Sequence, residues 1–84
     1  MRYRVVIPKN VQKRIDEIPE PYQGRVRASF AWLENDPYAG KRLVGDRRGE
    51  WTHRIGPFRV LYRIKTMELV VLITSVGHRK DVYR

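Results

Sequence analysis

The hydrophobic period changes half-way along the chain, and this change limits the fold more than any other feature. In the second half, apolar side chains recur at every second residue in three runs, a pattern that predicts three β-strands. Loops of two and four residues separate the runs, so the strands should form consecutive hairpins of an antiparallel sheet. The three predicted strands are Trp51–Ile55, Phe58–Ile64 and Leu69–Val76.

The first half has the period of amphipathic helices. Apolar residues three or four apart predict one helix between Pro8 and Ile18 and a second from Pro21 to Asn35. A proline follows each predicted helix and ends it. Before them, Arg2–Ile7 alternates loosely and is predicted as a first strand, whereas Pro37–Gly49 is rich in glycine and charge and is predicted as a loop.

These elements predict an α+β fold with the order β-α-α-β-β-β. The two helices are joined by very few residues, so they should form an antiparallel hairpin that packs on one face of a largely antiparallel sheet. With 84 residues, the chain is expected to form a single domain, 1–84, that buries only about 60% of its unfolded surface. The eight-residue tail, Gly77–Arg84, is too short to fold alone.

The charge of the chain points to a polyanionic partner. Eighteen Lys and Arg against nine Asp and Glu give a net charge of +9 and a pI near 10.5, which is typical of proteins that bind nucleic acid, a ribonucleoprotein, an anionic membrane surface or an acidic protein. Residues 47–84 carry +6 of this excess, and thirteen of the eighteen basic residues are arginine. Arginine binds phosphate through a planar fork, so the preference favours a phosphate-containing partner.

Several chemistries are excluded by what the sequence lacks. Without cysteine there are no disulfides, thiolate metal sites or cysteine nucleophiles. No metal-binding or nucleotide-binding motif is present, and neither Ser29 nor Ser75 has a base nearby in the sequence. No apolar segment approaches the roughly 20 residues of a membrane span, so a cytoplasmic protein is expected. RNA chemistry without a metal or cofactor, or binding alone, remains.

One face of the predicted sheet should carry arginines. Phe58, Val60, Tyr62 and Ile64 alternate with Arg59, Leu61 and Arg63, so the first set should meet the helices. A two-residue turn at Gly56-Pro57 would place Arg54 directly opposite Arg59 on the other face. Like charges in that position cost stability unless an anion lies between them. The alternative is that both arginines merely extend over a solvated surface.

The tail is the second concentration of charged groups. Gly77–Arg84 contains two guanidinium groups, an ammonium, an imidazole and a phenol, which together are able to bind and cleave a phosphodiester. Basic tails are also common without any such role, and disorder is the competing interpretation. Of the two tryptophans, Trp51 is predicted on the core face with Tyr62, and Trp32 is predicted at the rim or in contact with a partner.

Two segments together resemble a known family. They are W-x-x-R-I-G-x-F-R-V-L-Y-R-I at 51–64 and V-G-H-R-K-D-V-Y at 76–83. Behind a strand and two helices, they resemble the RelE/ParE superfamily of toxins from type II toxin–antitoxin pairs, over nearly the whole chain. The resemblance implies the fold of the RelE-like microbial RNases. For the RelE branch it implies a ribosome-dependent endonuclease that cuts mRNA in the ribosomal A site and so inhibits translation.

The resemblance also implies roles for individual residues. Arg59 matches the arginine that contacts the scissile phosphate, Arg79 the arginine credited with transition-state stabilisation, and Tyr83 a candidate general base. His78 takes a position able to share the acid–base work, and Arg54 falls near the basic residues that hold the substrate. The other residues expected to bind RNA are Lys80, Arg63 and Arg84. Thr52, where many relatives have an arginine, and the lack of an additional C-terminal helix depart from the pattern.

The implied reaction is attack by the RNA 2′-hydroxyl on the adjacent phosphate, without a metal, leaving a 2′,3′-cyclic phosphate or its 3′-phosphate product. Arg59 and Arg79 would stabilise the charge on the pentavalent phosphorus. A free tyrosine has a pKa of about 10, so Tyr83 requires the neighbouring cations to lower that pKa.

Two other interpretations remain open. The ParE branch has the same fold but inhibits DNA gyrase by contact, without chemistry, and an inactive or regulatory relative is a third possibility. The expected partners are a cognate antitoxin protein, the ribosome and mRNA, with no membrane and no small-molecule cofactor.

Overall fold

Two helices pack against one side of a five-stranded sheet in the computed structural model, which describes residues 2–78. The strands are β1 (Arg4–Val6), β2 (Lys41–Arg42), β3 (Trp51–Ile55), β4 (Phe58–Lys65) and β5 (Val70–His78). The helices are α1 (Lys9–Asp16) and α2 (Tyr22–Asn35), and single 3₁₀ turns lie at Pro37–Ala39 and Gly45–Arg47.

The strand order in the sheet is β1-β5-β4-β3-β2. Neighbouring strands are antiparallel, except that β1 lies parallel to β5 at the opposite edge from β2. The α+β class, the helical hairpin and the mainly antiparallel sheet are therefore confirmed. The prediction that Pro37–Gly49 is entirely loop is wrong, because Lys41 and Arg42 pair with Thr52 and Trp51 as a fifth strand.

Both helices begin close to prolines and bury one side. The carbonyl of Pro8 accepts hydrogen bonds from Val11 and Gln12 at the start of α1, and that of Pro19 accepts from Tyr22 and Gln23 at the start of α2. The helix face of the core consists of Val11, Ile15, Ile18, Val26, Phe30 and Leu33, all at most 8% exposed. These are apolar positions three to four residues apart, as the sequence predicts.

The helix-facing side of the sheet completes the core. Val60, Tyr62, Val71 and Ile73 are each 0% exposed, and burying one such side chain contributes about 1.5–3 kcal/mol. Tyr62 also holds the loop after α2, because its hydroxyl donates a 2.7 Å hydrogen bond to the carbonyl of Pro37. Burial raises the pKa of Tyr62 to about 12. A side chain at Gly40 would collide with the Tyr62 hydroxyl, so this close approach requires glycine.

The strand β5 differs from its prediction in three respects. Leu69 adopts a left-handed conformation (φ 54°) at the end of the turn, so the strand begins one residue later, at Val70. The register against β4 shifts between Leu61 and Tyr62, leaving Thr74 as the extra residue of a β-bulge. The strand then continues to His78, so the predicted tail residues Gly77 and His78 belong to the sheet.

Candidate functional site

The hairpin of β3 and β4 has the predicted register. Ile55 pairs with Phe58 and Arg54 with Arg59 across the turn at Gly56-Pro57. Gly56 has a φ of 57°, and a side chain there would come within 2.6 Å of the Tyr22 ring. Glycine is therefore required both by the turn and by the packing of α2 against it.

The open face of the sheet, the side opposite the helices, carries Arg59 and Arg63 from alternate positions of β4. Arg63 is exposed, whereas Arg59 is half-buried and its Nε atom is enclosed. Between them Leu61 is 0% exposed, and its partner Thr52 is 3% exposed. The two arginines thus flank a buried leucine and its buried threonine partner rather than a bare sheet surface.

Arg54 lies at the margin of this face. The register places it opposite Arg59, but its Nε donates a 3.2 Å hydrogen bond to the carbonyl of Gly56. The side chain also lines a cleft beside α2. Arg54 is therefore held at the sheet edge, between the open face and the helix-facing side.

A carboxylate, which the sequence reasoning missed, also belongs to the open face. Glu50 accepts a 2.9 Å hydrogen bond from the hydroxyl of Thr74 in the bulge and forms a 3.5 Å ion pair with Arg47. Its side chain is only 12% exposed. The two-residue alternation does indicate the face on which Glu50 lies, because Glu50 precedes the core-facing Trp51 and so falls on the opposite side of the sheet. The contact with Thr74 spans 24 residues and is not visible in the sequence.

His78 is on the other side of the sheet from Arg59. It pairs with Phe58, a core-facing residue, and its ring meets the Phe58 ring edge-on with centroids 5.8 Å apart. The imidazole also borders a small cleft of about 220 Å³ that is lined by Arg14 and Glu17 of the α1 region. The structure therefore does not bring His78 together with the arginines of the open face.

The remaining predicted site residues, Arg79, Lys80, Tyr83 and Arg84, lie outside the described residues. The strand that precedes them, β5, is described as far as His78. Gly77 pairs with Arg59, and His78 is the partner of Phe58 beside the Gly56-Pro57 turn. The tail thus starts from the end of the sheet where Arg54 and Arg59 lie.

Two further observations concern the described chain. Residues 2–78 contain no group of three or more His, Cys, Asp or Glu side chains arranged to hold a metal ion. Among the same residues, neither α1 nor α2 is long and apolar enough to cross a membrane.

The fold matches that of toxins of the RelE/ParE superfamily. A family model described as the ParE toxin of type II toxin–antitoxin systems, parDE, matches residues 5–83, and the chain belongs to this family. The toxin RelG of Mycobacterium tuberculosis is 31% identical over 86 residues, an alignment that covers 100% of this chain and 99% of RelG.

Solved structures agree with this assignment. The toxin–antitoxin complex RelBE2 of Mycobacterium tuberculosis matches with a TM-score of 0.85 and 27% identity, over 94% of this chain and 100% of the other. The archaeal RelE–RelB complex of Pyrococcus horikoshii matches with a TM-score of 0.79 and 27% identity, over 98% and 100%. A mutant of the Escherichia coli toxin RelE, at 15% identity and a TM-score of 0.80 over 99% and 90%, shares the fold.

Proposed function

We propose that this toxin is a ribosome-dependent endoribonuclease that cuts mRNA in the A site and so stops translation. The observation that carries the proposal is the position of Arg59. It is a half-buried arginine on a cationic open face, paired with Gly77 at the point where the chain leads into Arg79 and Tyr83. Cytoplasmic action and the absence of a metal or cofactor requirement belong to the same proposal.

In this proposal Arg59 stabilises the transition state. When the RNA 2′-hydroxyl loses its proton and its oxygen attacks the adjacent phosphorus, negative charge accumulates on the non-bridging oxygens. The bond to the 5′-oxygen then breaks, and that oxygen takes up a proton from solvent. A donor that is already fixed before this charge develops lowers the barrier by about 3–4 kcal/mol. The enclosed Nε of Arg59 and the buried Leu61 beside it support the assignment of this role to Arg59.

The other roles follow from position along the chain. We assign transition-state stabilisation also to Arg79 and proton abstraction to Tyr83, because His78 faces the helix side of the sheet. The cations Arg54, Arg63, Lys80 and Arg84 would bind the RNA backbone. The ribosome would orient the mRNA strand, a contribution that reaches several orders of magnitude in rate when reacting groups are held in line.

A cognate antitoxin is part of the proposal. The matching structures from Mycobacterium tuberculosis and Pyrococcus horikoshii are complexes of a toxin with its antitoxin. This chain carries a net charge of +9, which an acidic partner would neutralise on binding.

The alternative is a ParE-like toxin that binds DNA gyrase without cleaving anything. The match of residues 5–83 to the ParE family model favours it. A binding toxin needs a cationic surface but no enclosed, fixed arginine, so the two functions differ in how they depend on Arg59.

The test compares the purified toxin and its variants in a translating extract. The wild type should produce cuts at A-site codons, detected by primer extension on the message, and should leave gyrase supercoiling unchanged. Arg59→Ala should reduce cleavage by about 100-fold or more, and Arg59→Lys should restore little, because lysine lacks the planar fork. Arg27→Ala removes the same charge from an exposed site on α2 and should cleave normally. Intact mRNA together with blocked supercoiling would establish the gyrase alternative instead.

A further inference from the structure

A cleft of about 470 Å³ lies between α2 and the outer part of β3, and we call it the α2–β3 cleft. Its volume falls within the range of about 300–1,000 Å³ that is typical of small-ligand sites. It combines aromatic and aliphatic groups with two guanidinium groups, and its lining includes no carboxylate. This composition favours a ligand that has a flat ring and a negative charge. The lining includes Arg25, Ala28, Trp32, His53, Arg54 and Gly56.

One end of the cleft is aromatic. The rings of Trp32 and His53 lie with centroids 4.7 Å apart and planes inclined by 34°. Trp32 is nevertheless 41% exposed, so ring surface remains open in the cleft although the imidazole supports the indole. Burial lowers the pKa of His53, which favours the neutral form at neutral pH. The imidazole therefore serves as a packing group, and the indole is held in place as a stacking surface.

The other end of the cleft is cationic, because both of its arginines are anchored near Gly56. The Nε of Arg54 donates a 3.2 Å hydrogen bond to the Gly56 carbonyl. The guanidinium of Arg25 lies 5.9 Å from the centre of the Tyr22 ring, which is the ring that packs against Gly56. On α2, Arg25 and Trp32 are seven residues apart, which corresponds to about 10 Å along the helix axis. The cleft thus has two phosphate-binding groups at one end and a stacking surface at the other.

The cationic end adjoins the open face. Arg54 pairs with Arg59 in the sheet, and directly opposite residues of antiparallel strands have Cβ atoms about 4.5–5.5 Å apart. The edge of β3 at this point carries no further strand. Strand β2 pairs only with Trp51 and Thr52, so within the described chain, 2–78, residues 53–55 have β4 as their only sheet neighbour. An RNA strand bound at Arg59 therefore has an open path past Arg54 and around this edge into the cleft.

We propose that the α2–β3 cleft binds one nucleotide of the RNA strand that passes over Arg59, at a position flanking the cleaved bond. Its base stacks on Trp32, and Arg25 and Arg54 bind its phosphate. The inference rests on the proposed function and deepens it, because it names the part of the protein that holds the substrate beyond the reacting phosphate. The cleft residues position the strand and do not touch the reacting atoms.

Two observations favour a nucleotide over a polypeptide as the occupant. Arg25 and Arg54 are both anchored at the Gly56 end, where a single phosphate can accept hydrogen bonds from two planar forks. Arg54 also borders the open face, so a ligand in the cleft is continuous with the RNA proposed there. Stacking on an indole tolerates every base, which suits a site outside the cleaved bond. A segment of a protein partner is the competing occupant.

The probe is a short RNA with 2′-O-methyl groups, which has no 2′-hydroxyl to attack the phosphorus and therefore stays intact. Added to the full-length protein, it should shift the indole N–H resonance of Trp32 and the backbone amide of Gly56. Trp32→Ala should weaken binding by about tenfold, whereas Trp32→Phe should keep most of the affinity because phenylalanine also stacks on bases. An RNA that binds and shifts only residues of the open face would overturn the proposal.

Abasic versions of the same RNA, each with one base removed, separate stacking from a purely structural role of Trp32. At one position of the RNA, removal of the base should weaken binding to the wild type by about tenfold. The same removal should leave binding to Trp32→Ala unchanged, because the contact between base and indole is already lost. If the losses from the abasic RNA and from Trp32→Ala simply add at every position, the base does not contact Trp32 and the proposal is wrong.

Arg25 and Arg27 provide a matched pair for the phosphate contact. Both are exposed on α2, but only Arg25 lines the cleft. Arg25→Ala should reduce the slope of log affinity against log salt by about 0.7, the value for one phosphate contact of a single strand. Arg25→Lys should restore the slope, and Arg27→Ala should leave it unchanged. Equal slopes for Arg25→Ala and Arg27→Ala would contradict the phosphate contact.

The same variants distinguish the two occupants and the two proposals. If Trp32→Ala binds RNA like the wild type but no longer co-purifies with a co-expressed antitoxin, the cleft belongs to the protein partner and the proposal is wrong. If one abasic position couples to Trp32 but the wild type cuts no mRNA in the translating extract, the proposed nuclease fails and the cleft assignment stands. If cleavage occurs and no abasic position couples to Trp32, only the assignment of the cleft fails.

Discussion

The helix-facing side and the open side of the sheet are made from alternate residues of the same strands, yet one is apolar and buried and the other carries charge. On the helix side Val60, Tyr62 and Ile73 are 0% exposed and pack against both helices. On the open side Arg59 and Arg63 present charge, with Leu61 buried between them. Successive residues of one strand therefore alternate between the core, which stabilises the fold, and the proposed site. The two sides are separated by the thickness of one sheet.

This difference indicates where a small domain can accommodate a cluster of cations that lowers its stability. An 84-residue chain of this type has little stability to spare, about 0.05–0.15 kcal/mol per residue. Clustered cations reduce that stability through repulsion. Here Leu61 and Thr52 are buried beneath the arginines, and Glu50 is placed on the same face. The open side thus combines its arginines with buried neighbours and a carboxylate.

The strongest test of this comparison truncates two adjacent residues of β5 that face opposite sides of the sheet. Ile73→Ala should lower the free energy of unfolding by about 2–5 kcal/mol, because it leaves a cavity in the core. Leu72→Ala, on the open side where the residue is only half-buried, should cost about 1 kcal/mol. Urea unfolding followed by circular dichroism measures both. Equal losses would mean that the open side contributes as much packing as the core.

An intermediate effect is expected when a single hydroxyl is removed from the core. Tyr62→Phe deprives the Pro37 carbonyl of its 2.7 Å donor, which should cost about 1–3 kcal/mol. Tyr22→Phe is the matched control, because Tyr22 contacts Phe58 through its ring, and it should change stability by less than about 0.5 kcal/mol.

The effect of Tyr62→Phe on the free energy of unfolding should depend on pH. The pKa of Tyr62 is raised to about 12 in the folded protein, against about 10 in an unfolded chain. The stability that Tyr62 contributes is therefore complete below pH 10 and is lost as the pH rises toward 12. The stability difference between wild type and Tyr62→Phe should narrow over that interval in urea unfolding. A constant difference would show that burial does not perturb this phenol.

The smallest effect on stability should come from the exposed arginine of the open side. Arg63→Ala should change the free energy of unfolding by less than about 0.5 kcal/mol. If Arg63 binds an RNA phosphate, the same substitution should reduce the slope of log affinity against log salt by about one, measured with an RNA oligonucleotide. Arg27→Ala on α2 should leave that slope unchanged, and equal slopes for all three proteins would remove Arg63 from the RNA-binding surface.

Much of the fold could be predicted from the sequence because the decisive signals are local. The two-residue alternation and the Gly56-Pro57 turn were sufficient for the register that pairs Arg54 with Arg59. The residues missed depend on distant partners. Lys41 and Arg42 form a strand only because Thr52 and Trp51 offer an edge. The parallel pairing of β1 with β5 joins residues more than sixty positions apart, and no local pattern specifies it.

The candidate site divides in the same way. Arg59 and Arg63 were predicted on the open side because they alternate with the core residues of β4. The burial of Leu61 between them was not predicted, since alternation gives the direction of a side chain and not what covers it. The hydrogen bond from Thr74 to Glu50 depends on an extra residue in β5. No residue of the strand indicates this bulge in the sequence.

That extra residue reverses the parity of the strand. In β5 the odd-numbered residues Val71 and Ile73 face the helices, but after Thr74 the even-numbered residues Val76 and His78 do. Counting in twos from Val71 without the offset would put His78 on the same side as Arg59 and turn Gly77 toward the core. One inserted residue therefore decides whether Gly77 or His78 lies on the open side of the sheet at the end of the strand, and a relative lacking it would exchange the two while keeping an almost identical sequence.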